Sequence, residues 1–302
     1  MKKRNLARLA ILSATVLWGS GFVAVKASVA SVPPVTLIAL RFAFAALLLS
    51  LLFIKRLAAV DKGCIWRGAV IGFFLFAAYV AQTVGITDTT PGKNAFLTAV
   101  YVVIVPFMCW ITEKRRPDRY NMIAAFMCLA GIGLVSLRGD FSVGKGDLLT
   151  IACGFLFACH IAAVARLAKR QDPVVITIIQ FFFAALFSFA AAALTEDIAA
   201  PVPAGAWPGV IYLTVFCTAA ALLLQNVGQK YLEPSSASVI MSLEAVFGVA
   251  FSLLFGYETP EARIYIGFAV IFAALMISET KLAFLRRKQG QACRGTGADR
   301  DK

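Results

Sequence analysis

Apolar runs of about twenty residues, the length a helix needs to cross a hydrocarbon core of roughly 30 Å, recur along nearly the whole chain with short polar breaks between them. Ten such runs are legible, over residues 8–27, 35–54, 67–87, 92–112, 120–138, 147–167, 174–194, 208–229, 235–256 and 262–282. No break between them is long enough to build a separate water-soluble domain. The pattern predicts an all-α membrane protein with ten transmembrane helices. Only the tail RRKQGQACRGTGADRDK, residues 286–302, is polar and rich in small residues, and it is expected to be a disordered cytoplasmic tail.

Composition agrees with a bilayer as solvent: 60% of the residues are hydrophobic, 15% are charged, and the mean hydropathy is +0.82. A net charge of +13 raises the question of a nucleic-acid partner. The positions of the charges answer it. With the N-terminus inside, the inner segments hold 23 Lys and Arg, whereas the outer ones hold five, Lys26, Lys93, Arg138, Lys145 and Arg263; Arg41 lies within a span. This asymmetry is the positive-inside signature of a multi-pass protein of the cell (inner or plasma) membrane with both termini cytoplasmic. No basic patch interleaved with aromatics exists outside the spans, so no nucleic-acid partner is expected. The opening MKKRN before an apolar run has the form of a secretory signal, but the first span has an internal counterpart, so it is expected to be retained. The seven cysteines, at positions 64, 109, 128, 153, 159, 217 and 293, fall within spans or on the inner side, where none is placed for an extracellular disulfide.

Shifting the chain by 143 residues brings QTVGITDTTPGKNAFLTAVYVV onto QNVGQKYLEPSSASVIMSLEAV, pairing Gln82 with Gln225, Gly85 with Gly228, Pro91 with Pro234 and, further on, Pro117 with Pro260. An offset of 139 aligns PVTLIALRFAFAAL with PVVITIIQFFFAAL. The change of offset falls in the loop after the second span of each half. Each half therefore contains five spans, residues 1–140 and 146–285. Five is odd, so the second half threads the membrane upside down relative to the first. Two inverted-topology five-helix repeats can exchange packings around a site near the midplane, opening it to one face and then the other.

LWGSGFVAVK in the first span, LRFAFAALLL in the second, PGKNAFLTAVYVVIVP in the fourth and EPSSASVIMSLEAVFG in the ninth together resemble the EamA-type carriers of the drug/metabolite transporter (DMT) superfamily. The likeness extends from about residue 8 to residue 285. It implies a ten-span carrier with two inverted halves that commonly exports amino acids, related metabolites or small drugs without hydrolysing ATP. In one respect the chain departs from that pattern. The ninth span of the family often reads Glu-Pro, whereas Ala245 follows Glu244 here.

Polar groups inside the spans are the candidate substrate contacts. Glu244 lies ten residues beyond Pro234, about 15 Å along the helix and close to the midplane. A charge left to lipid at that depth costs roughly 2.5–3.5 kcal/mol, so the helix should face protein or a wet cavity. There Glu244 serves either as a proton-coupling carboxylate and contact for a cationic group, or as a protonated, hydrogen-bonded packing residue. Its repeat counterpart, Tyr101, is placed to line the same cavity. Arg41 lies about 9 Å below the outer surface, to meet a solute carboxylate or to tie down a neighbouring helix. Lys26 is nearer that surface, as a ligand or an end-anchor. Trp18, flanked by Gly19 and Gly21, offers a stacking wall or simple packing. His160, the single histidine, aligns with Gly21 and is a proton relay or a satisfied core residue. Pro91 and Pro234 occupy helix-start positions, whose N-termini can hold an anion.

The expected function is secondary-active transport, as an exporter, of a small organic solute by alternating access, with proton coupling through Glu244. A membrane-embedded lipid-modifying enzyme is the rival reading, but the spans carry no catalytic motif for it. No cofactor and no metal are expected. Small-residue faces such as CLAGIG permit a homodimer as well as packing within a monomer.

Overall fold

The computed structural model describes residues 2–58, 60–113, 119–136, 144–258 and 262–280. Among them there is no strand, and thirteen α-helices follow one another: α1 (Lys2–Ser28), α2 (Pro34–Leu52), α3 (Ile54–Leu57), α4 (Lys62–Gly85), α5 (Pro91–Thr98), α6 (Tyr101–Glu113), α7 (Arg119–Ser136), α8 (Lys145–Leu167), α9 (Pro173–Thr195), α10 (Trp207–Tyr212), α11 (Ala221–Gln229), α12 (Pro234–Leu254) and α13 (Ala262–Thr280). Eight helical runs are long and apolar enough to cross a membrane. The runs expected at 120–138 and 262–282 are present as α7 and α13, which pack against each other. They are not among the eight, and Tyr265–Ala274 is a shorter apolar helical run within α13. Pro117, Arg138, Pro260, Cys293 and the tail 286–302 lie outside the described residues, as does the side chain of Cys128. None of the other five cysteines is in a disulfide.

Helices are the form in which a chain in hydrocarbon satisfies its own backbone, and their starts are written in the sequence. Pro34, Pro91, Pro173 and Pro234 each open a helix, where the missing N–H costs nothing. Asp61, Thr90 and Asp172 accept hydrogen bonds from the first-turn amides of Cys64, Lys93 and Val174. Gly256, at φ +71°, ends α12 in the left-handed conformation that glycine adopts without strain. Outward faces carry large apolar side chains, among them Leu47, Leu51, Phe182, Leu194, Ile211 and Leu254, which suits a lipid-facing exterior.

Two runs are less regular than their hydropathy suggests. The one from Pro91 to Glu113 breaks at Ala99 and Val100 into α5 and α6. Between α10 and α11, residues Leu213–Ala220 form a π-helical segment, a geometry that concentrates at functional sites.

Contacts between helix ends define two faces. On one, Lys26 at the end of α1 donates to the carbonyls of Ile86, Thr87 and Thr89 at 2.8–2.9 Å. Lys93 of α5 pairs with Asp147 of α8 at 2.6 Å. Glu196 after α9 accepts from the amides of Val35 and Thr36, and Glu258 after α12 accepts from Thr90 and from the amide of Lys93. On the opposite face Arg56 pairs with Asp172 at 3.1 Å, and Lys230 donates to the Gln171 carbonyl. The C-terminal end of α1 and the N-terminal end of α8 thus share a face.

Close approach supplies much of the interior packing. A Cβ at Gly72 would sit 2.7 Å from the Gln180 carbonyl oxygen, so α4 and α9 touch backbone to backbone. Phe42 packs edge-on against Tyr79 and tilted against Phe181, joining α2, α4 and α9.

Candidate functional site

Between the helices of the two halves lies a cavity of about 50 Å³. Four of the residues singled out from sequence meet there: Trp18, Arg41, Tyr101 and Glu244. Apolar lining comes from Phe22, Val25, Phe157, Ile161 and Met241, and amide lining from Gln82, Asn94 and Gln225. A mostly apolar wall with a few convergent polar groups is the usual form of a small-molecule site.

Arg41 is 3% exposed. Its Nε donates to Thr218 Oγ1 at 3.2 Å, and its guanidinium lies 5.1 Å from the centre of the Tyr79 ring. The π-helical segment makes this contact available. There the Thr218 hydroxyl donates to the carbonyl of Leu213, five residues back, at 2.8 Å, and its oxygen accepts from Arg41. The same segment turns the Cys217 carbonyl toward α1, where Trp18 Nε1 donates to it at 3.0 Å. Trp18 is therefore a fixed wall.

Glu244 is 6% exposed, on α12, with the Tyr101 phenol beside it. The Tyr101 hydroxyl is buried and makes no hydrogen bond of regular geometry. Neither Glu244 nor Arg41 belongs to an ion pair; the two pairs among the described residues are Arg56–Asp172 and Lys93–Asp147. The cavity thus presents one cationic and one acidic side chain, both buried and each without an ionic partner. Asn94 adds a donor bound to Thr150 Oγ1 at 2.7 Å, while its own carbonyl oxygen is unpartnered.

The structure leaves Lys26 and His160 outside this wall. Lys26 is spent on three carbonyls at the end of α4. His160 is fully buried against Gln180, with 3.0 Å between Nε2 and Oε1. Pro91 and Pro234 begin α5 and α12 as expected, but the amides at the start of α5 already hold the carboxylate of Glu258. That helix start is filled by the protein's own anion.

Sequence reasoning missed Tyr79, Asn94 and the π-helical Cys217 and Thr218, and it singled out Gln82 and Gln225 only as matched positions of the repeat. The repeat held a signal for the last two, since they are each other's counterparts. Nothing in the local sequence marks Leu213–Ala220 as π-helical.

Comparison with known proteins agrees with this architecture. The model of the EamA-like transporter family matches the chain twice, over residues 5–137 and 144–280. An uncharacterized transporter of Archaeoglobus fulgidus is 30% identical over 277 residues, 91% of this chain and 87% of the relative. The uncharacterized transporter YyaM of Bacillus subtilis is 24% identical, with 92% of each chain covered. A crystal structure with 19% identity superposes with a TM-score of 0.71 over 92% of this chain and 98% of its own, and so shares the fold. Matched along both halves, and with a cavity that holds a few polar groups between its apolar helices, the chain belongs to the EamA-like transporter family and is a multi-pass membrane transporter.

Proposed function

We propose that this transporter is a secondary carrier that moves a small dipolar organic solute, of the amino-acid class, by alternating access. The observation that carries the reading is the pair of buried side chains without ionic partners, Arg41 and Glu244, in one cavity. Burying an ion without a partner costs several kcal/mol. A solute bearing both a carboxylate and an ammonium group relieves both costs at once: the carboxylate meets the guanidinium, and the ammonium meets Glu244. Trp18, Phe22 and Phe157 take the apolar part. When the ammonium leaves, a proton on the Glu244 carboxylate neutralises it, which couples solute exit to proton entry. Export is assigned from the family resemblance.

Ten crossings in two inverted repeats, residues 1–140 and 146–285, with both termini cytoplasmic in the cell membrane, complete the reading. Packing supports it. Under the sequence offsets, α2 against α9 and α7 against α13 map onto themselves, while α1 against α11 maps onto α8 against α4. Four pairs of counterparts share the cavity wall: Trp18 with Phe157, Phe22 with Ile161, Gln82 with Gln225 and Tyr101 with Glu244.

The test is counterflow in proteoliposomes. Labelled L-phenylalanine should accumulate saturably without ATP, and Glu244→Gln should fold yet lose all response to an imposed pH gradient. A response equal to that of the parent removes Glu244 from coupling. Recovery of a chemically altered lipid with no flux would point instead to a membrane-embedded enzyme.

A further inference from the structure

The cavity wall is lopsided. Gly21, Arg41, Tyr79 and Asn94 of the first half line it, whereas their counterparts His160, Gln180, Leu222 and Ala237 do not. Two of those counterparts are polar, and they touch. His160 and Gln180 are each 0% exposed, and their one mutual hydrogen bond leaves an acceptor, His160 Nδ1, and a donor, Gln180 Nε2, without partners. Buried orphan groups are rare because each forfeits its hydration. A pair of them, at the positions that open onto the cavity in the other half, is the mark of groups that find partners in a second conformation.

We propose that His160 and Gln180 are the second half's solute contacts, masked here and exposed to the cavity when the two halves exchange packings. This inference rests on the alternating-access reading above. In the exchanged state α8 and α9 take the arrangement that α1 and α2 have now. His160 then stands where Gly21 stands, and Gln180 where Arg41 stands. The solute carboxylate passes from a guanidinium to a neutral amide N–H and the imidazole. Charge-assisted hydrogen bonds are roughly twice as strong as neutral ones, so the exchanged state holds the carboxylate more loosely and is the releasing state.

The helix ends agree. Lys93 and Asp147 join the two halves at one face, with the Asp147 side chain only 3% exposed. On the opposite face the counterpart of Asp147 is Arg8, and that of Thr90, which caps the same helix start, is Glu233. Both are exposed, and neither is in an ion pair. A pair of reversed polarity is thus available to close that face in the exchanged state.

His160 is the only histidine of the chain, so protein purified without a polyhistidine tag and treated with diethyl pyrocarbonate gives an ultraviolet carbethoxyhistidine signal from one residue. The parent, held by the Lys93–Asp147 pair, should react slowly. Lys93→Ala, which releases that pair, should react at least tenfold faster while eluting as the same folded species. Equal rates in the two proteins overturn the proposal. In counterflow of L-phenylalanine, His160→Ala and Gln180→Leu should raise the half-saturation concentration about two- to tenfold when measured from one membrane face and leave the other unchanged. An equal rise from both faces reduces the pair to a packing role. The labelling experiment involves no solute, so a parent that carries no phenylalanine fails the transport reading and leaves the masking of His160 to be judged by its own result.

Discussion

Lys93→Ala tests the ion pair that joins the two halves at one face, and its magnitude can be worked from the surroundings of the pair. Lys93 Nζ lies 2.6 Å from Asp147 Oδ2, and Thr89 Oγ1 donates to Asp147 Oδ1 at 3.0 Å. The Asp147 side chain is 3% exposed and that of Lys93 19%. Removing the lysine strands a buried carboxylate with one neutral donor, a loss of about 3–5 kcal/mol for a fully buried pair. Partial hydration of Lys93 puts the expectation at the lower end. A conformation that hydrates Asp147 is then favoured over the joined one by on the order of 100-fold more than in the parent. Cys217, which lines the cavity and is 1% exposed, reports the change. In a chain whose other cysteines are replaced by alanine, a membrane-impermeant maleimide added on that face should label Cys217 much faster after Lys93→Ala. The double variant Lys93→Met with Asp147→Leu removes both charges and should return the rate most of the way to that of the parent, because an apolar pair of similar size leaves no stranded ion. If labelling in Lys93→Ala stays within a factor of two of the parent, the pair does not hold the halves together there.

Other variants probe the cavity and the frame separately. Arg41→Lys keeps the charge but loses the planar fork and its place over Tyr79, so affinity for carboxylate-bearing solutes should fall about tenfold in counterflow, with little change in melting temperature. Glu196→Ala removes a carboxylate bound to two amides and the hydroxyl at the start of α2; thermal unfolding in detergent should register a loss of about 1–3 kcal/mol, and unchanged stability refutes that role. Gly72→Leu should prevent stable folding, seen as aggregation in size-exclusion chromatography, because its Cβ alone would sit 2.7 Å from the Gln180 carbonyl oxygen.

The helical frame was legible because lipid forces a simple code, and the residues that start helices, such as Pro34, Pro91 and Pro234, mark it further. Depth along a span placed Glu244 and Arg41 correctly in the interior, and the repeat placed Tyr101 across from Glu244. What stayed hidden depends on rotation about helix axes and on local departures from regular geometry. Lys26 and His160 look as promising in sequence as Arg41 does. One is spent on carbonyls at a helix end, and the other is turned toward Gln180. Hydropathy also carries no trace of the break at Ala99 and Val100, since the residues on both sides are equally apolar.

That break gives the fourth apolar run the mechanics of a jointed lever. At the joint several backbone bonds already span three residues instead of four, from Val100 to Leu97, Val102 to Ala99 and Val103 to Val100, so bending there sacrifices few helical bonds. The arm above it, α5, is eight residues long, about 12 Å. A tilt of about 10° would swing its tip by about 2 Å, enough to part Lys93 from Asp147 while Tyr101, below the pivot, keeps its station beside Glu244.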